Sequence, residues 1–271
     1  FYGSRENFAK ADKTNLMSLD VGVYYPTLGI SNNEISGLAR SKHRSQGFGS
    51  AGDRGSYQEY LELINGDMPA MKKDLFDGIN TSWTRVEGGE VIDKLMSEVL
   101  HTYDFTDPSQ SVPLLIQIYN ALDQVNDNHW VPVKKDELME IIFSCMGLFI
   151  EASTDVQQST RGDSIDITIE ITNRSNINVQ LRKYSLNENT TDTIQNLEPF
   201  TTNKWFSSYS FDDSTPFSNP YWLDNEGQLG TYEVNKPSMR NLPQSPDILN
   251  CTFSIMIKDQ ILTVNRPVIY K

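Results

Sequence analysis

The feature that most constrains this sequence is a change of hydrophobic period near residue 152. Upstream of it, apolar residues recur at the three- to four-residue spacing of helices, whereas in residues 163–171 they alternate strictly with polar ones. Ile165, Ile167 and Ile169 therefore fall on one face of a half-buried strand. The sequence predicts a mostly helical part followed by a part rich in β-strands.

Five helices are expected in the first part. Ser31 and Glu34 have the spacing of a capping box, which begins the first helix; its apolar stripe includes Ile35, Leu38 and Ala39, and it is expected to end at Gly47. The other four are predicted over residues 57–64, 90–103, 107–122 and 134–151. A strand is predicted over residues 17–25, before the first helix.

Beyond residue 152 the strands are short and separated by Pro, Asn and Gly. Besides residues 163–171, strands are predicted over residues 179–184, 205–211, 229–234, 249–258 and 260–270. The last two are joined by a short, hairpin-type connection. This pattern is typical of an antiparallel, immunoglobulin-like β-sandwich. The predicted fold class is therefore α+β and multidomain, with a sandwich over residues 153–271.

Composition excludes some partners. The chain has 271 residues and a net charge of -13, and neither half collects the basic residues that a nucleic-acid-binding face needs. Its longest apolar run, residues 138–152, is interrupted by Glu140 and Ser144, so no membrane span is predicted. Cys145 and Cys251 lie in apolar segments without metal-binding spacing, which predicts two small buried side chains.

Motifs for catalysis are sparse. The three histidines, His43, His101 and His129, have no metal-ligand spacing, so the sequence predicts no zinc ion held by this chain. No Gly-x-Ser-x-Gly elbow is present, and the glycines of residues 47–52 lack the Gly-Lys-Ser/Thr end of a phosphate loop. His101 is expected at a helix C-terminus, where a cation favours the helix dipole, and His129 in a turn.

Residues 41–55 gather His43, three basic side chains and four glycines in an otherwise acidic chain. At about 100° per residue from Ile35, a continuous helix would place Gln46 on its buried side, His43 at the margin and Arg44 toward water. A structural His43–Gln46 pair and a pair that lines a site fit this pattern equally well.

Two segments resemble a known family. Residues 19–24, and above all residues 39–49, resemble the C-terminal end of the PIG-L (LmbE-like) deacetylase domain, in which a helix carries a His-x-Ser-Gln signature. His43, Ser45 and Gln46 match that signature. Residues 54–55, 57–61 and 75–83, with Lys134 and Lys135, look like the large multidomain members of Bacteroidetes-type bacteria, in which a helical region and β-sandwich modules follow the catalytic domain.

The resemblance implies three parts: residues 1–50 as the last strand and helix of an α/β deacetylase domain, residues 51–152 as a helical region, and residues 153–271 as the sandwich. Because the sequence starts at Phe1 without a Met, we expect it to be a piece of a longer protein. The family further implies a parent that is exported or periplasmic. The oligomeric state stays open.

PIG-L enzymes are zinc-dependent hydrolases that remove the acetyl group from N-acetylglucosamine-type substrates. Their metal is bound by a His-Pro-Asp-Asp motif and a later His, and neither can be placed on this sequence. The resemblance therefore implies zinc in the parent and none on this chain, which is expected to be inactive alone. It makes His43 the site-lining candidate, with Ser45, Gln46 and Arg44 as candidates for binding an amino-sugar or glycan substrate that reaches the protein through the upstream domain.

Two other functions remain open. Trp205, Tyr209, Tyr221 and Trp222 could form an aromatic platform that binds glycan or protein, or they could fill the core of the sandwich. A purely structural spacer is the third alternative.

Overall fold

The computed structural model describes residues 5–47, 49, 51–71 and 74–271. It divides the chain into two compact units, Phe1–Thr81 and Ser82–Lys271. The three-part division at residues 50 and 152 stays a prediction. At the coarser level the predicted class is confirmed, because the protein combines helices with a large, mostly antiparallel sheet.

Over its described residues, the first unit contains two α-helices and four short strands. In chain order they are α1 (Arg5–Lys10), β1 (Leu16–Asp20), β2 (Tyr24–Tyr25), β3 (Ile30–Ser31), α2 (Asn32–Ser41) and β4 (Gln58–Glu62). β1 pairs antiparallel with β4, and β2 pairs with β3. The helix predicted over residues 57–64 is wrong: the segment is the strand β4, because so short a piece gains little as an isolated helix and pairs its backbone with β1 instead.

Helix α2 begins as predicted and ends earlier. Ser31 Oγ accepts from the Glu34 backbone N at 3.3 Å, and Glu34 Oε2 accepts from the Ser31 backbone N at 2.9 Å, which confirms the capping box. The helix stops at Ser41 and gives way to a 3-10 turn, Arg44–Gln46, closed by Gly47 in the left-handed region at φ 69°. Its apolar stripe is not buried, since Ile35 is 38% and Leu38 59% exposed.

The second unit starts with three α-helices, α3 (Glu90–Thr102), α4 (Val112–Ala121) and α5 (Trp130–Met146). Helices α3 and α4, the latter preceded by the 3-10 helix Pro108–Ser111, confirm the predicted elements. The helix predicted over residues 134–151 corresponds to α5, which both begins and ends earlier in the chain than predicted. It ends at Met146 because Gly147 takes a left-handed conformation at φ 58°, after which the chain enters a strand.

Seven strands form one sheet. They are β5 (Phe149–Thr154), β6 (Ser164–Thr172), β7 (Val179–Leu186), β8 (Asn189–Leu197), β9 (Thr202–Ser210), β10 (Asn250–Ile257) and β11 (Gln260–Tyr270). Their order is β8-β7-β10-β11-β5-β6-β9, with every neighbouring pair antiparallel except β5 and β11. Gln195 on one edge strand donates to Asn203 on the other at 3.2 Å, so the sheet is nearly closed.

The strand predictions are mostly confirmed. The alternating isoleucines of β6 are buried, as the period of two requires. The strand predicted over residues 229–234 is wrong, because only one isolated bridge, between Gln228 and Thr231, forms there. β8 was not predicted, since its mostly polar residues are exposed at a sheet edge and leave no alternation to find.

Helices and sheet share one core in the second unit. A continuous cluster of buried side chains extends from Ile92 in α3 to Val264 in β11. At the surface, Arg266 of β11 binds both oxygens of Glu140 in α5, at 2.8 and 2.9 Å. The helices that the structure describes are all too short or too polar to cross a bilayer.

Candidate functional site

The turn after α2 holds the residues of the His-x-Ser-Gln signature. His43 Nδ1 lies 3.1 Å from Gln46 Oε1, within hydrogen-bond distance. Arg44 and Ser45 lie on the same turn, and all four residues are exposed. Phe48 and Ser50 of the predicted segment lie outside the described residues.

The predicted burial of Gln46 is wrong for a specific reason. Gln46 would be buried only on a helix that continued to residue 46, whereas α2 ends at Ser41 and the chain tightens into a 3-10 turn. The pairing of His43 with Gln46 is nevertheless present. Whether these residues contact a substrate stays a prediction.

A depression of about 600 Å³ lies beside the start of α2. Asp20 at its edge accepts from the backbone N of Gly22 at 2.8 Å and of Tyr57 at 2.9 Å. Hydrogen bonds from the Ser56 side chain and from these two amides lower the pKa of Asp20.

Glu34, in the same depression, is also held as an anion. Its bonds to the Ser31 backbone and hydroxyl, and then the Arg54 guanidinium at 2.8 Å, lower its pKa. A general acid needs a raised pKa instead. Asp20 and Glu34 therefore act here as ionised acceptors that fix turns.

A second depression, of about 650 Å³, lies in the second unit, within the long connection between β9 and β10. We call it the aromatic depression. Its lining includes Tyr221, Trp222, Tyr232, Glu233, Asn235 and Arg240. This connection has little regular structure apart from the 3-10 helices Tyr221–Leu223 and Pro237–Met239.

One side of the aromatic depression is rigidly held. Tyr221 is 8% exposed; its hydroxyl donates to the Leu242 carbonyl at 3.0 Å, and its backbone N donates to Ser245 Oγ at 2.8 Å. Trp222 meets the Tyr221 ring edge to face, with centroids 4.9 Å apart. Two segments about twenty residues apart in sequence are thereby locked together.

Polar side chains fasten the other side. Asn225 Nδ2 donates to the Glu233 carbonyl at 2.9 Å, and Asn225 Oδ1 accepts from Asn235 Nδ2 at 3.1 Å. Arg240 donates from Nε and Nη2 to the Val234 carbonyl, at 3.2 and 3.1 Å. Within the part of the chain that the structure describes, the Glu233 carboxylate has no hydrogen bond or ion pair.

The four aromatic residues singled out in the sequence therefore separate into two pairs. Tyr221 and Trp222 line the aromatic depression, whereas Trp205 and Tyr209 are half-buried and pack against the core. Sequence reasoning missed Tyr232, Glu233, Asn235 and Arg240. Their signal is a stretch of aromatic, amide and charged residues without a hydrophobic period, set between two well-defined strands.

The remaining titratable candidates have structural positions. His101 Nδ1 contacts the Ser97 carbonyl in the last turn of α3, and the His129 backbone N donates to Asp127 at the start of α5. Burial raises the pKa of Cys251 to about 12, and Cys145 is half-buried. Over residues 5–47, 49, 51–71 and 74–271, no three His, Cys, Asp or Glu side chains are grouped to hold a metal.

Comparison with known proteins places the chain in no family. No family model matches it, and no curated protein does. Among solved structures, it is similar to the Pseudomonas fluorescens alkylpurine DNA glycosylase AlkC bound to DNA containing an abasic site analog, at 8% identity and a TM-score of 0.22. That alignment covers 58% of this chain and 47% of the other, so the chain spans less than half of the glycosylase's length. A likeness this weak supports no inference about fold or function.

Proposed function

We propose that this chain is the C-terminal part of a PIG-L (LmbE-like), zinc-dependent N-deacetylase that acts on N-acetylglucosamine-type substrates. The observation that carries the proposal is the exposed turn after α2, in which His43 and Gln46 of the family's signature are paired at 3.1 Å. In this reading Gln46 fixes the tautomer of His43, and His43 lines the substrate site. Ser45 and Arg44 bind polar groups of the sugar.

The exposed stripe of α2 supports the same proposal. Ile35 and Leu38 are three residues apart on one helical face, and neither is buried. In the proposed parent, this face packs against the rest of the α/β catalytic domain. β1 and α2 are then the last strand and helix of that domain.

The proposal assigns the zinc to the upstream part of the parent, because the family's His-Pro-Asp-Asp motif cannot be placed on this sequence. Among the described residues, no group of three His, Cys, Asp or Glu side chains could hold a metal ion. When bound in that upstream part, zinc supplies an activated water for amide hydrolysis. This chain by itself is proposed to be inactive, and the resemblance further implies an exported or periplasmic parent.

We also propose that the sheet of the second unit is an immunoglobulin-like sandwich. The strand order supports this, since β5, β6 and β9 form one group and β8, β7, β10 and β11 another, joined where β11 runs parallel to β5. The alternation of buried residues in β6 and β10 gives each group an inward face. Such a unit serves as an accessory module or as a spacer beside the catalytic domain.

The direct test is an assay of the complete gene product. We expect zinc-dependent release of acetate from chitooligosaccharides, and a His43→Ala variant with kcat/KM lowered about 100-fold. His101→Ala is the matched control, because that ring contacts the Ser97 carbonyl within α3, and it should leave the rate unchanged. A complete protein without deacetylase activity, or equal effects of the two variants, would contradict the proposal.

Two further measurements use the 271-residue chain. With added zinc it should release no acetate; turnover that a chelator abolishes would show that the metal site lies within it. Leu38→Asp should change the free energy of unfolding of the 271-residue chain by no more than about 0.5 kcal/mol, because Leu38 is exposed there. The same substitution should destabilise the complete protein, in which we propose that this face is buried. Equal effects in the two proteins would argue against the buried face.

A further inference from the structure

We infer that the aromatic depression of the second unit is a binding site for a carbohydrate chain. The inference rests on the geometry of Tyr221, Trp222, Tyr232, Glu233, Asn235 and Arg240, and it does not depend on the deacetylase proposal. The aromatic depression has a volume of about 650 Å³, which lies within the range of roughly 300–1,000 Å³ that is typical of small-molecule sites.

Aromatic rings give the site its apolar surface. Trp222 is held against Tyr221, whose ring is fixed by two hydrogen bonds from its hydroxyl and backbone N. Tyr232 is 65% exposed on the opposite segment. Rigid aromatic rings supply contact area at a low cost in conformational entropy, and the C–H faces of a pyranose ring are flat enough to pack on them.

The polar residues match sugar hydroxyls, which donate and accept at once. The Glu233 carboxylate and Asn235 Oδ1 accept no hydrogen bond from the described part of the chain, and Arg240 uses Nε and Nη2 on the Val234 carbonyl while its Nη1 has no such partner. The depression thus offers acceptors and a donor beside the rings. Asn225 keeps this segment in place through Glu233 and Asn235.

Other ligand classes fit less well. Nucleic acid is disfavoured by the net charge of -13 and by Glu233 within the depression. A peptide anchored by an apolar side chain needs a deep apolar pocket, whereas Glu233, Asn235 and Arg240 make this depression polar on one side. The mixture of one exposed ring, Tyr232, and one half-buried ring, Trp222, with amide, carboxylate and guanidinium groups favours a sugar.

The test is titration of the 271-residue chain with chitohexaose, cellohexaose and mannohexaose, followed by calorimetry and by Trp fluorescence. At least one should bind, and Trp222→Ala and Tyr232→Ala should each weaken binding about tenfold. Phe206→Ala is the matched control: that ring is exposed on β9 and points away from the core, and its removal should leave binding unchanged.

Glu233→Gln guards against misfolding of the ring variants, because that side chain is exposed and its carboxylate makes no hydrogen bond in the described part of the chain; Asn235→Ala is a second exposed change, and it also removes the bond to Asn225. Each should weaken binding several-fold while the far-UV circular dichroism stays unchanged. No binding of any of the three hexasaccharides at millimolar concentration would overturn the inference. Binding that survives all four substitutions would overturn it too, as would binding of casein-derived peptides, lost on Trp222→Ala, in place of the sugars.

Discussion

Replacing Ile142 by Ala tests whether helices and sheet in the second unit fold together. Ile142 in α5 is 0% exposed and belongs to the same buried cluster as Phe253 in β10. Shortening a fully buried Ile to Ala costs about 2–5 kcal/mol, from lost transfer energy and the cavity left behind. For a unit of roughly 190 residues each kcal/mol lowers the melting temperature by about 2–4 °C, which predicts a drop of about 4–20 °C.

Tryptophan fluorescence can follow the sheet separately. All four Trp residues lie in the second unit, so the first unit is silent. Changing Trp83, Trp130 and Trp222 to Phe leaves Trp205, which lies on β9 and packs against the core. In that background, Ile142→Ala should lower the melting temperature followed by Trp205 fluorescence as much as the melting temperature of the helices followed by circular dichroism.

The neighbouring Ile141 is the matched control. It is 49% exposed on the same helix, so Ile141→Ala should change stability by no more than about 0.5 kcal/mol. If Ile142→Ala moved the helical transition and left the Trp205 transition in place, the shared core would be refuted. The division near residue 152 that the sequence predicts would then describe two independently folding domains.

Three smaller predictions follow from single contacts. A Cβ at Gly22 would lie 2.0 Å from the Gly55 carbonyl oxygen, so Gly22→Ala should speed hydrogen exchange in the first unit, whereas Gly49→Ala, which meets nothing within 4 Å, should not; equal protection in both variants would contradict this. Asp127 accepts from the His129 and Trp130 backbone N at the start of α5, and these bonds, the Trp130 bond first, lower its pKa. A lowered pKa stabilises the fold above the unfolded value of about 3.9 and loses that effect as pH falls through the folded value, so Asp127→Ala should lower the melting temperature at pH 7 and cost less below about pH 4; a difference that does not shrink in acid would refute the assignment. Burial raises the pKa of Cys251 to about 12, so its thiol should resist iodoacetamide at pH 8 in the native protein and react once unfolded, and rapid native labelling of Cys251 would show that it is not buried.

The elements that could be predicted are those in which buried residues recur with the period of a strand or a helix. β6 reads as a strand because every second side chain faces the core, and α4 reads as a helix because its buried residues recur at helical spacing. The capping box of α2 is equally local, since Ser31 and Glu34 satisfy each other's backbone N groups within four residues.

Elements that depend on distant partners could not be predicted. β4 exists because β1 offers its backbone about forty residues earlier in the chain, and β8 is an exposed edge strand held by β7. The end of α2 is a third case. The periodicity of α2 does not reveal where it stops, and this misplaced Gln46 on a buried face.

The two candidate sites differ in the same way, since one depends on local contacts and the other on contacts between distant residues. His43 and Gln46 are three positions apart in the chain, so their pairing was visible in the sequence. The aromatic depression depends on the Tyr221 hydroxyl reaching the Leu242 carbonyl and on Asn225 reaching Glu233, and such long-range bonds leave no periodic trace. Of its lining residues, only Tyr221 and Trp222 were therefore singled out from the sequence.

One measurement connects the two proposals. If the complete protein deacetylates an amino sugar and the second unit also holds the glycan, binding there raises the effective concentration of a polymeric substrate at the catalytic domain. Trp222→Ala should then lower kcat/KM on soluble N-acetylglucosamine polymers about tenfold and leave the rate on N-acetylglucosamine disaccharide unchanged, whereas His43→Ala should lower both. The disaccharide is too short to engage both places at once, which is why the ratio of the two rates isolates the binding contribution. If Trp222→Ala lowered kcat/KM equally on the polymer and on the disaccharide, the aromatic depression would not contribute to binding of the polymeric substrate. That would hold even if sugar binding and deacetylation had each been demonstrated separately.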